Sequence, residues 1–142
     1  MAESSRLLAI DYGEKRIGLA ISDALKIFAK PYDIIANTSY EDIVQQLIRI
    51  IQSNHVEKVI VGVPWSIEGE VTDKTKETLT FIAKLKESLP VPVIGADERY
   101  TTSEANELLK QMGYDWKKAR KHIDSIAACL ILKGYLDNNE NR

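Results

Sequence analysis

Three acids stand apart from the others in this 142-residue chain because of what surrounds them. Asp11 closes the apolar run Leu7-Leu8-Ala9-Ile10 and is followed by Tyr12-Gly13. Glu98 follows Val93-Ile94-Gly95-Ala96-Asp97. Asp124 sits in Lys121-His122-Ile123-Asp124-Ser125-Ile126-Ala127-Ala128. A carboxylate held at the end of a hydrophobic strand costs several kcal/mol, or shifts its pKa, unless it has a partner. A metal ion is one such partner. Three carboxylates converging from three elements would make an oxygen-rich site suited to hard divalent cations such as Mg²⁺ or Mn²⁺. Phosphodiester hydrolysis needs such a site: one ion generates hydroxide from water, and a second about 4 Å away stabilises the leaving oxygen.

Each acid also has an ordinary reading. Asp11 could stabilise a turn, and Asp124 could pair on a helix surface with Lys121 or His122. Asp97 competes with Glu98, because successive strand residues point to opposite faces and only one of the two can face the ions. No His/Cys cluster suits zinc, and no Ser-His-Asp or Cys-His pattern is present.

The elements that must position these acids follow from periodicity and turn chemistry. Leu7–Ile10 and Ile17–Ile21 read as two strands joined by a tight glycine turn, and Tyr32–Ile35 as a short third strand after the break at Lys30-Pro31. Closely spaced strands of this kind form an antiparallel meander. Ser39 offers a helix N-cap, and Ile43, Val44, Leu47, Ile48, Ile50 and Ile51 recur at helical spacing. Lys58–Val63 reads as a parallel strand covered on both faces. A second helix is expected to bury Leu79, Ile82, Leu85 and Leu89. Val91–Ala96 then forms a further strand, which Pro92 assigns to a sheet edge. Thr101-Thr102-Ser103-Glu104 opens a third helix that Gly113 ends. The last helix buries Ile123, Ile126, Ala127, Leu130 and Ile131, with Ala127 and Ala128 small enough to let it approach the sheet and bring Asp124 towards Asp11.

This order predicts an α/β protein with a mixed five-stranded sheet, order 3-2-1-4-5, flanked by helices. Crossover handedness brings the fourth strand beside the first, with their carboxyl ends at the ligand-binding edge of the sheet. One domain spanning 1–142, with an ordered core from about 6 to 136, is expected from length and from the lack of any linker.

Hydrophobic content of 44% and charged content of 28% are those of an ordinary globular protein. No apolar run reaches the roughly 18 residues that a membrane span needs, and the N-terminus lacks a signal-peptide layout, so a cytoplasmic protein is expected. A formal net charge of −2 means that nucleic-acid binding would rest on a local patch, such as Lys110, Lys117, Lys118, Arg120 and Lys121. Cys129, the single cysteine, reads as a small core residue.

Four motifs in one order, Asp11-Tyr-Gly-x-Lys15-Arg16-Ile-Gly18, Gly62-x-Pro64, Asp97-Glu98-Arg99-x-Thr101-Thr102 and Asp124-x-x-Ala127-Ala128, resemble the YqgF family of RuvX-type resolvases, from about Arg6 to Leu136. The resemblance implies a ribonuclease H-like fold and a Mg²⁺-dependent nuclease associated with 5′-end maturation of 16S ribosomal RNA, or with resolution of Holliday junctions. It implies Asp11, Glu98 and Asp124 as catalytic acids and metal ligands. Lys15, Arg16 and Arg99 are suited to neutralising a phosphate backbone. Gly62 and Pro64 would shape the loop that follows, Trp65 could stack on an unpaired base or lid the core, and Thr101 and Thr102 could cap a helix or touch phosphate. Thr72 stands where the family often has glycine. The expected partners are structured RNA or branched DNA, together with the ribosome. A monomer or weak homodimer is expected, since no long apolar dimer helix is evident, and this favours RNA over a junction that needs two symmetric cuts.

Two other classes compete. Asp-x-Gly in an early hairpin also resembles the phosphate loop of actin-like and sugar-kinase proteins, which enclose ATP between two such domains where this chain has one. A nucleic-acid- or ribosome-binding module that has lost catalysis would keep the fold but has no need of the acidic trio.

Overall fold

The computed structural model describes residues 5–65, 68–97, 110 and 123–139, with the side chains of Ile123, Asp124 and Asn139 excepted. The expected helix opening at Thr101 and the basic stretch 110–121 lie outside the described residues, save for Lys110, which is helical and exposed.

Five strands, β1 (Arg6–Tyr12), β2 (Arg16–Ser22), β3 (Ala29–Ala36), β4 (Val56–Val63) and β5 (Val93–Asp97), form one sheet in the order β3-β2-β1-β4-β5. The meander β1-β2-β3 is antiparallel, and β4 and β5 run parallel to β1. Helices α1 (Tyr40–Asn54), α2 (Asp73–Ser88) and α3 (Ile123–Asn139) complete the described elements. None of the described helices is long and apolar enough to cross a membrane.

The two faces of the sheet differ in side-chain size. One carries Leu8, Ile10, Ile17, Leu19, Val59, Val61 and Val93, and these pack against Ile43, Leu47 and Ile51 of α1 and Phe81, Ile82 and Leu85 of α2. The other carries Leu7, Ala9, Ala20 and Ile60, and meets Ala128, Cys129, Ile131 and Leu132 of α3. Alanine facing alanine lets α3 lie close on this second face, as expected for Ala128, which is fully buried; Ala127 is only half-buried. Cys129 is buried, and burial pushes its thiol pKa up to about 12.

Local chemistry sets the ends of the elements. Ser39 caps α1 by accepting from the Asp42 N–H at 3.2 Å. His55 ends that helix in the left-handed region at φ 54° and donates its N–H to the Ile51 carbonyl. In the β2–β3 hairpin, the Asp23 carboxylate accepts from the backbone N–H groups of Ile27 at 2.8 Å and Phe28 at 2.7 Å.

Three expectations need correction. β3 begins at Ala29, not Tyr32, because an edge strand tolerates Pro31: the register runs Ala20↔Pro31 and then Leu19↔Asp33, leaving Tyr32 as the extra residue of a bulge. β5 starts at Val93, just past Pro92, whose carbonyl accepts from Val59 N–H at 2.9 Å; its edge position is as expected. Leu79 is 41% exposed. The buried stripe of α2 instead runs through Thr75, Thr78, Phe81, Ile82 and Leu85, because the two threonine hydroxyls bond to the carbonyls of Pro64 and Lys74 and so can be buried.

Candidate active site at the carboxyl edge of the sheet

Asp11 is the penultimate residue of β1, the central strand, and is half-buried. Strand alternation gives its direction. Leu8 and Ile10 belong to the α1/α2 face, with Tyr12 packed against it, whereas Leu7 and Ala9 belong to the α3 face. Asp11 therefore shares the face covered by α3.

Its neighbours across the sheet have no side chains. Asp11 pairs with Gly18 of β2. On the other flank Ile10 pairs with Val61, so the next position places Gly62 beside Asp11, and Gly62 in turn pairs with Ala96. Both glycines are buried. With adjacent strands about 4.8 Å apart, the carboxylate rises from a bare floor roughly 9–10 Å wide between Gly18 and Gly62. Larger residues on both flanks would crowd the carboxylate, whereas the glycines leave it half-buried.

α3 runs antiparallel to β1 above this floor. Near its C-terminal end, Tyr135 Oη accepts from Lys58 Nζ at 3.2 Å, and Lys58 pairs with Leu7 at the start of β1. Four residues of strand from Leu7 to Asp11 span about 13 Å, and eleven residues of helix from Tyr135 back to Asp124 span about 16 Å. The first turn of α3, with Asp124 as its second residue, therefore reaches the level of Asp11.

Asp97 ends β5 beside Val63. Ile94 and Ala96 pack on the α3 face, whereas Val93 belongs to the opposite core and a Cβ at Gly95 would meet Val63 Cγ2 at 2.9 Å and Ile82 Cδ1 at 3.4 Å. By the same alternation Asp97 lies on the α1/α2 face, away from Asp11. Glu98, Arg99, Thr101, Thr102 and the side chain of Asp124 lie outside the described residues, and among those described no three metal-ligating side chains gather.

Lys15 and Arg16 are exposed in the β1–β2 turn at the same edge. The turn needs Gly13, because a Cβ there would collide with the Arg16 carbonyl oxygen. Asn37, which sequence patterning did not single out, pins this turn twice: its side-chain amide donates to Gly13 O at 2.8 Å and its backbone N–H to Lys15 O at 2.9 Å. Past β4, the Pro64 carbonyl accepts from the Thr75 hydroxyl at 2.6 Å, and Trp65 packs against the α1/α2 core. Thr72 and Thr75 form a reciprocal capping box at the start of α2. Thr72 thus serves as an N-cap, a role in which threonine and glycine are both favoured. Thr-x-x-Thr lacks the usual Glu or Gln at its last position, so this signal was faint in the sequence.

A larger cavity, about 370 Å³, lies at the opposite edge, between Leu7, Lys26, Glu57, Lys58, Tyr135 and Leu136. Asp11 is not among its described lining residues. There Glu57 pairs with Lys26 and accepts from the Ser5 hydroxyl at 2.7 Å.

A 3-2-1-4-5 sheet with an acid ending its central strand and a helix crossing above it defines a ribonuclease H-like protein. Two solved resolvases share the fold. RuvC of T. thermophilus, in complex with a Holliday junction substrate, aligns at TM-score 0.54 and 15% identity over 96% of each chain. Fowlpox virus resolvase, in complex with Holliday junction DNA, aligns at TM-score 0.58 and 14% identity over 94% of this chain and 97% of that one. The chain belongs to the RuvX family, described as Holliday junction resolvase, whose model matches residues 5–138. It is 37% identical over 131 residues to a Maridesulfovibrio salexigens protein (92% of this chain, 97% of that one) and 35% identical over 136 residues to one from Desulforudis audaxviator (96% of each). Both relatives are named "Putative pre-16S rRNA nuclease".

Proposed function

We propose that this protein is a divalent-metal-dependent nuclease that hydrolyses phosphodiester bonds in the 5′-end processing of 16S ribosomal RNA precursors. The observation that carries the reading is Asp11, held on a glycine-flanked floor at the carboxyl edge of the sheet and facing the helix that bears Asp124. Membership of the RuvX family and the names of the relatives support the substrate class.

A half-buried carboxylate with bare backbone on both flanks fits a hydrated Mg²⁺ or Mn²⁺, which are hard cations that bind through oxygen. Asp11, Glu98 and Asp124 would hold the ions. Strand alternation, which puts Asp97 on the other face, favours Glu98 over it as the third ligand. Bound there, the metal supplies Lewis acidity and an activated water. The chain's own residues orient the substrate. Lys15 and Arg16, on a turn that Asn37 holds rigid, offset phosphate charge beside Asp11, and Arg99 adds a guanidinium for bidentate contact. Gly62, Pro64 and Trp65 shape the wall past β4.

The test is Mg²⁺- or Mn²⁺-dependent cleavage of a 5′-extended 16S precursor by the wild type and by Asp11→Asn. Cleavage by the wild type alone is expected. Equal activity in both proteins would remove Asp11 from the reaction. Because the family is described by Holliday junction resolution, a four-way DNA junction is the comparison substrate. Cutting of the junction but not of the precursor would transfer the reading to branched DNA.

A further inference from the structure

On the opposite face of the sheet from Asp11, one residue further along β1, a cavity of about 200 Å³ opens between the end of that strand, α1 and α2. Phe81 and Ile43 line its interior, together with the rings of Tyr12 and Tyr40. Tyr12 stacks on Phe81 with ring centroids 4.1 Å apart and planes 21° from parallel. Tyr40 is braced by a 2.7 Å hydrogen bond between its hydroxyl and Ser88 Oγ, and Lys84 Nζ lies 5.6 Å from the centre of its ring. We propose that this cavity receives a single unpaired nucleobase carrying an exocyclic amino group, from the strand whose phosphate is handled at Asp11; the inference rests on the nucleic-acid reading above.

Size, charge and hydrogen-bonding capacity each narrow the occupant. The volume is below the roughly 300 Å³ at which pockets for drug-sized ligands begin, so it suits one heterocycle rather than a whole nucleotide. Aromatic walls favour a flat ring, and an entering base extends the stack that Tyr12 and Phe81 begin. Among the described lining residues the one cation, Lys84, is offset by the one carboxylate, Glu77, which leaves little net charge to attract phosphate.

Two of the remaining rim groups, Thr80 and Glu77, can only accept, and Asn37 can do either. The Asn37 amide nitrogen spends one of its two hydrogens on the Gly13 carbonyl, so Asn37 can still accept through Oδ1 and donate its second hydrogen. The Thr80 hydroxyl donates its one hydrogen to Lys76 O at 3.0 Å, so it can only accept. Glu77 accepts through both oxygens. A carboxylate and a hydroxyl oxygen that only accept favour a ring with an exocyclic amino group, as in cytosine, adenine or guanine, over uracil. A base in a duplex cannot enter, so the cavity would choose strands that are single or frayed beside the cut. Asn37 joins the two places, since it lines the cavity and holds the basic turn next to Asp11.

The test is fluorescence anisotropy with 5′-labelled oligocytidine and oligouridine RNA in EDTA, where no metal-dependent cleavage occurs. Wild type, Tyr40→Ala, Thr80→Trp and Glu77→Gln are compared, each checked by circular dichroism. Thr80 is exposed on α2, so its tryptophan variant blocks the mouth without disturbing the core, and decides the matter if Tyr40→Ala fails to fold. Wild type should bind oligocytidine several-fold tighter than oligouridine. Tyr40→Ala and Thr80→Trp should each lose about tenfold in affinity, in line with one stacked base, and Glu77→Gln should narrow the preference. Wild-type binding with both blocking variants within twofold of it would overturn the cavity while leaving the nuclease reading intact. Failure of wild type to bind either RNA or a four-way DNA junction would overturn both.

Discussion

Thr75→Val removes the hydroxyl that joins the loop past β4 to α2, and the structure sets the size of the effect. Thr75 is fully buried, and its Oγ1 lies 2.6 Å from Pro64 O, 3.0 Å from Thr72 N and 2.9 Å from Thr72 Oγ1. A hydroxyl has one hydrogen, and a carbonyl can only accept, so the Thr75 hydrogen goes to Pro64. The Thr72 hydroxyl must then be the donor in the pair between the two side chains. Valine has nearly the same shape, so little packing is lost. Thr72 is exposed, and its N–H and hydroxyl can turn to water at small cost. The half-buried Pro64 carbonyl loses its partner, at a cost of about 1–3 kcal/mol for an acceptor stranded in this way. We expect about 2 kcal/mol in all, or a fall in Tm of roughly 4–8 °C for a chain of this size. Urea unfolding followed by circular dichroism measures the loss directly, and Thr75→Ser should recover most of it. A loss below about 0.5 kcal/mol, or no recovery with serine, would show that the hydroxyl bridge is not what secures this loop.

Other expectations concern the ends of the sheet. His55→Gly should raise stability by about 0.5–1 kcal/mol, because an exposed residue at φ 54° gains from losing its Cβ; an unchanged urea midpoint would contradict this. Cys129, with its thiol pKa pushed up to about 12 by burial, should resist iodoacetamide at pH 8 in the native protein and react fully in urea; prompt native alkylation would mean that α3 does not stay docked. At the β2–β3 hairpin, slight burial works to raise the Asp23 carboxyl, but the backbone N–H groups of Phe28 and Ile27 outweigh it and hold the pKa below 3.8. Glu57 is held below 4.5, chiefly by its hydrogen bond from Lys26 and then by that from Ser5. Both contributions are complete above these ordinary values and are lost as pH falls through the lowered ones, so stability should drop below about pH 4. Asp23→Asn/Glu57→Gln should flatten that drop, and a profile parallel to wild type would refute the assignment.

Local patterns wrote much of the architecture into the chain. The meander, the Gly13 turn, the Ser39 cap and the stripe of α1 depend on residues close in sequence, where periodicity and capping chemistry act directly. The strand order followed too, because crossover rules leave few alternatives once β4 is read as parallel. Even the pairing of small residues between α3 and the sheet was visible, in Ala128.

Tertiary structure decided what depends on register. Asp11 lies between Gly18 and Gly62 only because β2 and β4 align at that level, and no local pattern places residues 11, 18 and 62 in one row. Asp97 ends β5 and Asp11 stands one residue from the end of β1, each after apolar residues, yet strand alternation turns them to opposite faces. Leu79 was expected inside and is exposed, whereas Thr75 and Thr78 are buried, because the face of α2 that meets the sheet is chosen by the whole stripe and not by the hydropathy of one residue. Asn37 has no signal of its own, since its value to the β1–β2 turn exists only once β3 folds back beside β2. Side-chain type and spacing propose which groups could meet; long-range strand pairing, where a shift of one residue reverses every side chain, determines which of them do.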